Sequence, residues 1–336
     1  MNIYDVSQKA GVSIATVSRV INGSSNVSEK TRQKVLTVMK ESGYTPNVFA
    51  RGLGLNTMQT IGIMCSDSSD PFLANAVYYL EHSLRSNGYD SFLCCTGQEL
   101  QDKKKYLKLL LSKRVDAIIM VGSQYLETSK KDNHYILDAA KTIPVMLING
   151  YLAAPNVFCT LCDDYQAVYD ATGRLCFDNR KQILYLYNSR SYSGQQKLAG
   201  YKAAIANAGL PADDRLILHC PKQIQEATAQ ISAAVAAGLT FDAVICAEDS
   251  LAVAAMKHCR QTGKQIPEEV SIIGYNNSEL SICCEPELTT IDNHVETLCT
   301  TTVSNLMQVL GGTAVPGRTT LSNDLVIRGT TRNVQK

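Results

Sequence analysis

Two periodicities alternate along most of this chain. Short apolar runs rich in Val, Ile, Leu and Cys predict strands over Thr60–Cys65, Ser91–Cys95, Ala117–Val121, Val145–Asn149, Ile183–Tyr187, Leu216–His219, Ala243–Cys246 and Val270–Tyr275. Between them apolar residues recur at three- and four-residue spacing. This predicts helices over Phe72–Asn87, Leu100–Lys113, Tyr165–Phe177, Gln195–Ala208, Glu226–Ala237 and Leu251–Thr262. Strands that are apolar throughout, rather than every second residue, are buried on both faces. Alternating with helices, they predict parallel α/β sheets. Roughly four such units precede the Phe158–Cys162 region and roughly four follow it, which predicts two similar subdomains rather than one large sheet.

The first sixty residues follow a different pattern, predicting three short amphipathic helices. Asn2 caps the first, with Ile3, Val6 and Ala10 on one stripe and Asp5 facing the positive helix end. Gly11 allows a sharp turn. Ser13 caps the second helix, whose Val17, Val20 and Ile21 face inward and which stops at Asn22–Gly23. Ser28 caps the third, with Val35, Leu36, Val38 and Met39 as its inner face. Gly43 and Pro46 end it. Two helices joined by a tight glycine turn and packed on a third predict a helix-turn-helix unit. Periodicity alone leaves a plain three-helix bundle open.

Charge sharpens the division. The 336-residue chain has a net charge of +1, yet its first sixty residues hold seven Lys/Arg against three acids. A small basic head on a mildly acidic body suits contact with nucleic acid. The start of the chain lacks an apolar leader segment, and no apolar run approaches the roughly 20 residues that span a bilayer, so a cytoplasmic location is expected. There the twelve cysteines stay reduced and act mostly as small core residues. Cys159 and Cys162 form a C-x-x-C with no second ligand pair at zinc spacing, and no histidines fall four apart, so no metal and no cofactor are expected. No catalytic constellation or phosphate-cradling loop stands out, and the chain is not read as an enzyme.

Residues Tyr4 to Gly23, then Val27-Ser28-Glu29-Lys30-Thr31-Arg32, Gly43-Tyr44-Thr45-Pro46-Asn47 and Ala50-Arg51-Gly52-Leu53 resemble the headpiece of the LacI/GalR family of bacterial transcription regulators. The resemblance implies that the helix opening at Ser13–Ile14 reads bases through Ile14, Ala15 and Arg19. An arginine can pair bidentately with guanine, whereas Ile14 and Ala15 offer only apolar contacts. Tyr4, Ser13, Thr16, Ser18, Asn22, Thr31 and Tyr44 fall at positions that touch the DNA backbone, and helix capping is a rival role for the small polar ones. Asn47 to Leu53 match the hinge helix, with Asn47 and Arg51 at the DNA and Leu53 wedged into the minor groove. Gly54 and Leu55 depart from the family's usual small residues there.

The body resembles the periplasmic-binding-protein-type core of the same family through Cys162-Asp163-Asp164-Tyr165, Leu198 to Ala204, Cys246 to Ala252, Ile266 to Asn276 and Leu288-Thr289-Thr290-Ile291. The implied fold is two doubly wound α/β subdomains behind an all-α headpiece. The expected limits are 1–46 for the headpiece and 47–59 for hinge and linker. The core is expected over 60–331: an N-subdomain of 60–161 and 291–322, and a C-subdomain of 162–290 and 323–331. Ligands of open α/β sheets bind at strand carboxyl ends. This nominates Asp67, Asp70, Phe72, Asn149, Ser193, Lys222, Glu248 and Asn276 as effector residues, with Ser66, Asp249 and Asn277 nearby. Gly194 stands where many members place an effector-gripping arginine, and Lys222 where an aromatic is common. These departures favour an acidic or phosphorylated effector over a plain sugar. The run Asp164 to Asp170 is nearest the catabolite-control-protein subgroup, but Glu285 replaces that subgroup's arginine for a phosphorylated phosphocarrier, and this co-regulator is not expected.

The expected function is therefore that of a regulator, more specifically a repressor. It would bind palindromic double-stranded operator DNA as a homodimer under control of a sugar, sugar phosphate or related metabolite, with no membrane partner. A leucine heptad that would zip dimers into tetramers is not seen near the C-terminus. The competing expectation is a cytosolic ligand-binding protein of the same core fold with no DNA role.

Overall fold

The computed structural model describes residues 2–44 and 57–332. The predicted hinge residues Asn47, Arg51 and Leu53 lie outside the described residues.

Three helices, α1 (Ile3–Ala10), α2 (Ile14–Ile21) and α3 (Glu29–Glu41), form the N-terminal unit. Local chemistry sets each start. Asn2 Oδ1 accepts from the amides of Tyr4 and Asp5, and the Asp5 carboxylate accepts from the Asn2 amide, a reciprocal capping box. Ser13 and Ser28 accept from the amides of Thr16 and Thr31 in the same way. Gly11 closes α1 at φ +60°, a left-handed conformation that glycine adopts without strain. Val6, Ala10, Val17, Val20 and Val35 are buried together, with Ile3, Val12, Ile21, Val38, Met39 and Tyr44 packed around them. Leu36, expected on the inner face, is instead exposed: α3 buries the stripe through Val35, Val38 and Met39, and one residue past Val35 rotates about 100° away from it.

The body holds two six-stranded sheets. The first runs β11-β5-β4-β3-β1-β2, with β1 Thr60–Cys65, β2 Asp90–Cys95, β3 Ala117–Val121, β4 Val145–Ile148, β5 Val157–Cys162 and β11 Arg318–Leu321. The second runs β12-β10-β9-β8-β6-β7, with β6 Ile183–Tyr187, β7 Ile217–His219, β8 Ala243–Cys246, β9 Ser271–Tyr275, β10 Thr289–Asp292 and β12 Asp324–Val326. Every pairing is parallel except β10 with β12. The chain therefore passes between lobes after β5, after β10 and between β11 and β12.

Helices α4 (Pro71–Ser86), α5 (Leu100–Ser112), α6 (His134–Ala140), α7 (Asp164–Phe177), α8 (Tyr192–Asn207), α9 (Ile224–Ala236), α10 (Asp249–Gln261), the single turn α11 (Glu279–Ile282) and α12 (Val295–Leu310) accompany the sheets. Each sheet is buried on both faces. In the first lobe Leu80, Leu84 and Leu298 cover one face, and Leu107, Leu110 and Tyr135 the other. Most predicted elements hold to within a residue or two. The central strands β1, β3, β6 and β8 match the prediction residue for residue. Helices α6, α11 and α12, strands β5 and β10, and the edge strands β11 and β12 fall outside the predicted set. The two edge strands are half exposed and lack a continuous apolar run.

Candidate functional site

Two regions have chemistry that the packing does not use. The first is the outer face of α2. Ile14, Ala15 and Arg19 are exposed, Ile14 at 39 %. The Arg19 side chain makes no hydrogen bond or ion pair among the described residues, so its guanidinium is free to meet another molecule. Tyr4 is exposed on α1, while Ser18, Asn22 and Tyr44 are half-buried. Ser13 and Thr16 share a 2.9 Å hydroxyl–hydroxyl bond, and Thr31 shares one of the same length with Ser28. These hydroxyls serve the caps. In each pair one hydroxyl donates to the other, and the proton of the accepting hydroxyl is what remains for a phosphate.

The second region is a cleft between the lobes, at the carboxyl ends of the central strands. All eight nominated residues line it: Asp67, Asp70 and Phe72 after β1, Asn149 after β4, Ser193 at the start of α8, Lys222 after β7, Glu248 after β8 and Asn276 after β9. Asn149 and Asn276 have φ of +58° and +100°. Asparagine tolerates this turn out of the strand better than most residues. Asp249 and Asn277 face elsewhere. Asp249 accepts from the Ser278 amide and hydroxyl at 2.7 Å each and from Thr290 Oγ1 at 2.5 Å, while Asn277 binds Asp292 and Arg328.

Residues 155 apart in sequence close the cleft. Lys222 Nζ lies 2.9 Å from Asp67 Oδ2 and 3.0 Å from Asp70 Oδ2, joining the second lobe to the first. Burial alone would lower the Lys222 ammonium, but the bonds to Asp67 and Asp70 outweigh it and hold it up. The Ser69 hydroxyl, then Lys222, hold the Asp67 carboxyl below its usual range. A second link runs from Ser123 Oγ to Ser191 Oγ at 2.8 Å. Lys222, expected to stand free for an acidic effector, is instead held by two carboxylates.

Deeper in the cleft lie groups that the pattern along the chain did not single out. Asp164, at the start of α7, is buried and accepts from the Tyr275 hydroxyl. Lys197 on α8 is buried, donates to Ala247 O at 3.0 Å and sits 3.4 Å above the Tyr275 ring centroid. Burial raises the Asp164 carboxyl against the pull of Lys197 and Tyr275. It also raises Glu248, which Asp70 pushes further and Asn188, donating at 2.9 Å, pulls back. The strand-end rule would have found Asp164 had β5 been assigned. Nothing along α8 distinguishes Lys197 from a solvated helix lysine.

Gly194 also has a local cause. A Cβ there would lie 2.3 Å from Ser189 O, so this backbone excludes any side chain, an arginine included. Among the described residues no cluster of His, Cys, Asp and Glu is arranged to hold a metal, and no helix is long and apolar enough to cross a membrane. All twelve cysteines are free thiols.

The chain matches two family models. Residues 2–47 match the bacterial regulatory proteins of the lacI family, and residues 58–335 match the periplasmic binding proteins and sugar binding domain of the LacI family. An HTH-type transcriptional regulator of Lachnoclostridium phytofermentans is 68% identical over 98% of this chain and 99% of its own length. The HTH-type transcriptional repressor PurR of Vibrio parahaemolyticus is 31% identical over 86% of each chain. Among solved structures, the Lac repressor dimer bound to operator and an anti-inducer is similar at a TM-score of 0.89, with 26% identity over 98% of this chain and 99% of that one. A complex of the transcriptional regulator CelR with cellobiose is similar at 0.72, with the same identity and coverage.

Proposed function

The chain belongs to the LacI family of bacterial regulatory proteins, which are DNA-binding transcription regulators and not enzymes, and we propose how its own residues carry that role. The headpiece, residues 1–46, reads a palindromic operator, two copies of the chain placing α2 in successive major grooves. Arg19 pairs with guanine, and Ile14 and Ala15 pack on thymine methyls. Tyr4, Ser13, Thr16, Ser18, Asn22, Thr31 and Tyr44 hold the phosphates, while Asn47, Arg51 and Leu53 in the 47–59 hinge engage the minor groove. The regulator works in the cytoplasm, as a homodimer, and represses.

The interlobe cleft of residues 60–331 takes a small polar effector through Asp67, Asp70, Phe72, Asn149, Ser193, Lys222, Glu248 and Asn276. Occupancy changes how the lobes meet, and with that the spacing of the two headpieces. The observation that carries the proposal is the exposed Arg19, its side chain without a partner among the described residues, beside Ile14 and Ala15 on the outer face of a helix that buries Val17 and Val20 on the other. Selection of random duplex DNA on the purified full chain at fixed salt tests it. An enriched near-palindrome supports the reading, and an unenriched pool contradicts it.

A further inference from the structure

The lining of the cleft is unbalanced in charge and in hydrogen-bonding sense. Asp67 and Asp70 enter from the first lobe, and Asp164 and Glu248 from the second. Against these four carboxylates stand two ammonium groups, Lys197 and Lys222, and no arginine lines the cleft among the described residues. Gly194 stands where many family members place an arginine, and a Cβ there would lie 2.3 Å from Ser189 O.

The two lysines differ. Lys197 is 7% exposed, its ammonium fixed on Ala247 O and over the Tyr275 ring. It belongs to the wall. The Lys222 side chain is 45% exposed on the connection between β7 and α9, and its ammonium lies between Asp67 and Asp70. A half-exposed lysine on a flexible stem can leave such a seat at little cost.

Acceptors are also left over. Glu248 makes no ion pair among the described residues, and its carboxylate meets Asn188 and, at 3.4 Å, Ser250. Asn293 is 2% exposed and lines the cleft. It donates to Asn276 Oδ1 at 2.9 Å and leaves its own Oδ1 buried without a partner. A buried acceptor without a donor costs free energy until something donates to it.

We infer that the effector carries a protonated amine on a polar frame, and that Lys222 is the chain's own stand-in for that amine between Asp67 and Asp70. The inference rests on the reading of the cleft as the effector site. A phosphate or carboxylate would add charge of the sign already in excess. A neutral polyol that displaces Lys222 brings donors but leaves Asp67 and Asp70 uncompensated. An ammonium brings three donors and restores the charge that Lys222 withdraws. It enters the seat as Lys222 swings out towards solvent.

Calorimetric titration of the full chain tests this with matched probes: hexosamines, aminoalditols and hydroxylated amino acids, each beside its parent polyol, its N-acetyl derivative and a sugar phosphate. At least one amine is expected to bind about tenfold more tightly than its uncharged counterparts. Lys222→Met is expected to strengthen amine binding by about tenfold, since it removes a competing cation. Asp67→Asn with Asp70→Asn is expected to erase the preference for the amine. Equal or tighter binding of the polyols, binding of the phosphates, or no amine bound by either wild type or Lys222→Met would overturn the inference. DNA selection on the same preparation separates the two readings. An enriched operator with no amine preference leaves the regulator standing and removes the amine, whereas an unenriched pool counts against the regulator itself.

Discussion

The headpiece and the cleft use polar groups in opposite ways. On α2 the decisive groups face outward and are little used by the fold: the Arg19 side chain bonds to nothing among the described residues, and Ile14 is exposed. In the cleft nearly every polar side chain already has a partner within the chain, such as Lys222 on Asp67 and Asp70, Tyr275 on Asp164 and Asn188 on Glu248. A surface of the first kind is ready for a partner that supplies all the missing contacts at once. A site of the second kind trades internal bonds for external ones, and such an exchange can shift a conformational equilibrium. Substitutions in the headpiece face should therefore register in binding, and those around the cleft in stability or coupling.

The sharpest break between the two is expected at Asp249, which sits behind the cleft and ties Ser278 and Thr290 in place. Asp249→Ala strands the buried Thr290 hydroxyl and the half-buried amide and hydroxyl of Ser278 and should lower stability by about 3 kcal/mol in urea unfolding. A stability loss below 1 kcal/mol would mean that this acid is not structural. Next, Arg19→Ala should remove about 1–3 kcal/mol of discrimination at one base pair in each half-site, read by competition between operator variants. Its unfolding midpoint should stay near wild type, because the side chain is exposed. Should both change together, the outward face is part of the fold.

Ser28→Ala serves as the headpiece's internal control. Loss of a cap costs about 1 kcal/mol, here without any change in which base pair is preferred. The smallest effect concerns pH. His258 is buried, shares a 2.9 Å bond between Nδ1 and Ser232, and burial lowers its pKa. The unfolded chain then takes up the proton more readily than the folded one. Stability is thus full above about pH 6.5 and falls as the pH drops below it. His258→Gln should flatten that fall in parallel melts between about pH 7 and pH 5. An unchanged slope would show that the imidazole takes no part in it.

Legibility in the sequence followed the distance between partners. The headpiece was readable because its caps bond three residues ahead and its core repeats at helical spacing, as Asn2 with Asp5 and Ser13 with Thr16 show. Leu36 was misread because it sits one residue past the buried stripe. Central strands such as Ile183–Tyr187 declared themselves by being apolar throughout, whereas Arg318–Leu321 and Asp324–Val326 are half-exposed edges with no such run. Strand ends placed the eight cleft residues. The partners of those residues were out of reach: Tyr275 lies 111 positions from Asp164 and Lys222 lies 155 from Asp67, and only the three passages between lobes bring them together. Lys222 consequently looked like a free cation.

The central claim is that the state of the cleft governs the headpiece, and one binding isotherm tests it most directly. Operator affinity, measured by fluorescence anisotropy on the selected duplex, would be compared between wild type and the double variant Asp67→Asn, Asp70→Asn. Asparagine keeps the Asp70 cap on α4 but releases Lys222. The account predicts a change in operator Kd of about 5–150-fold, the usual span of coupling between distant sites, with base preference unaltered. An operator Kd equal to wild type, with the interlobe ion pair gone, would contradict it.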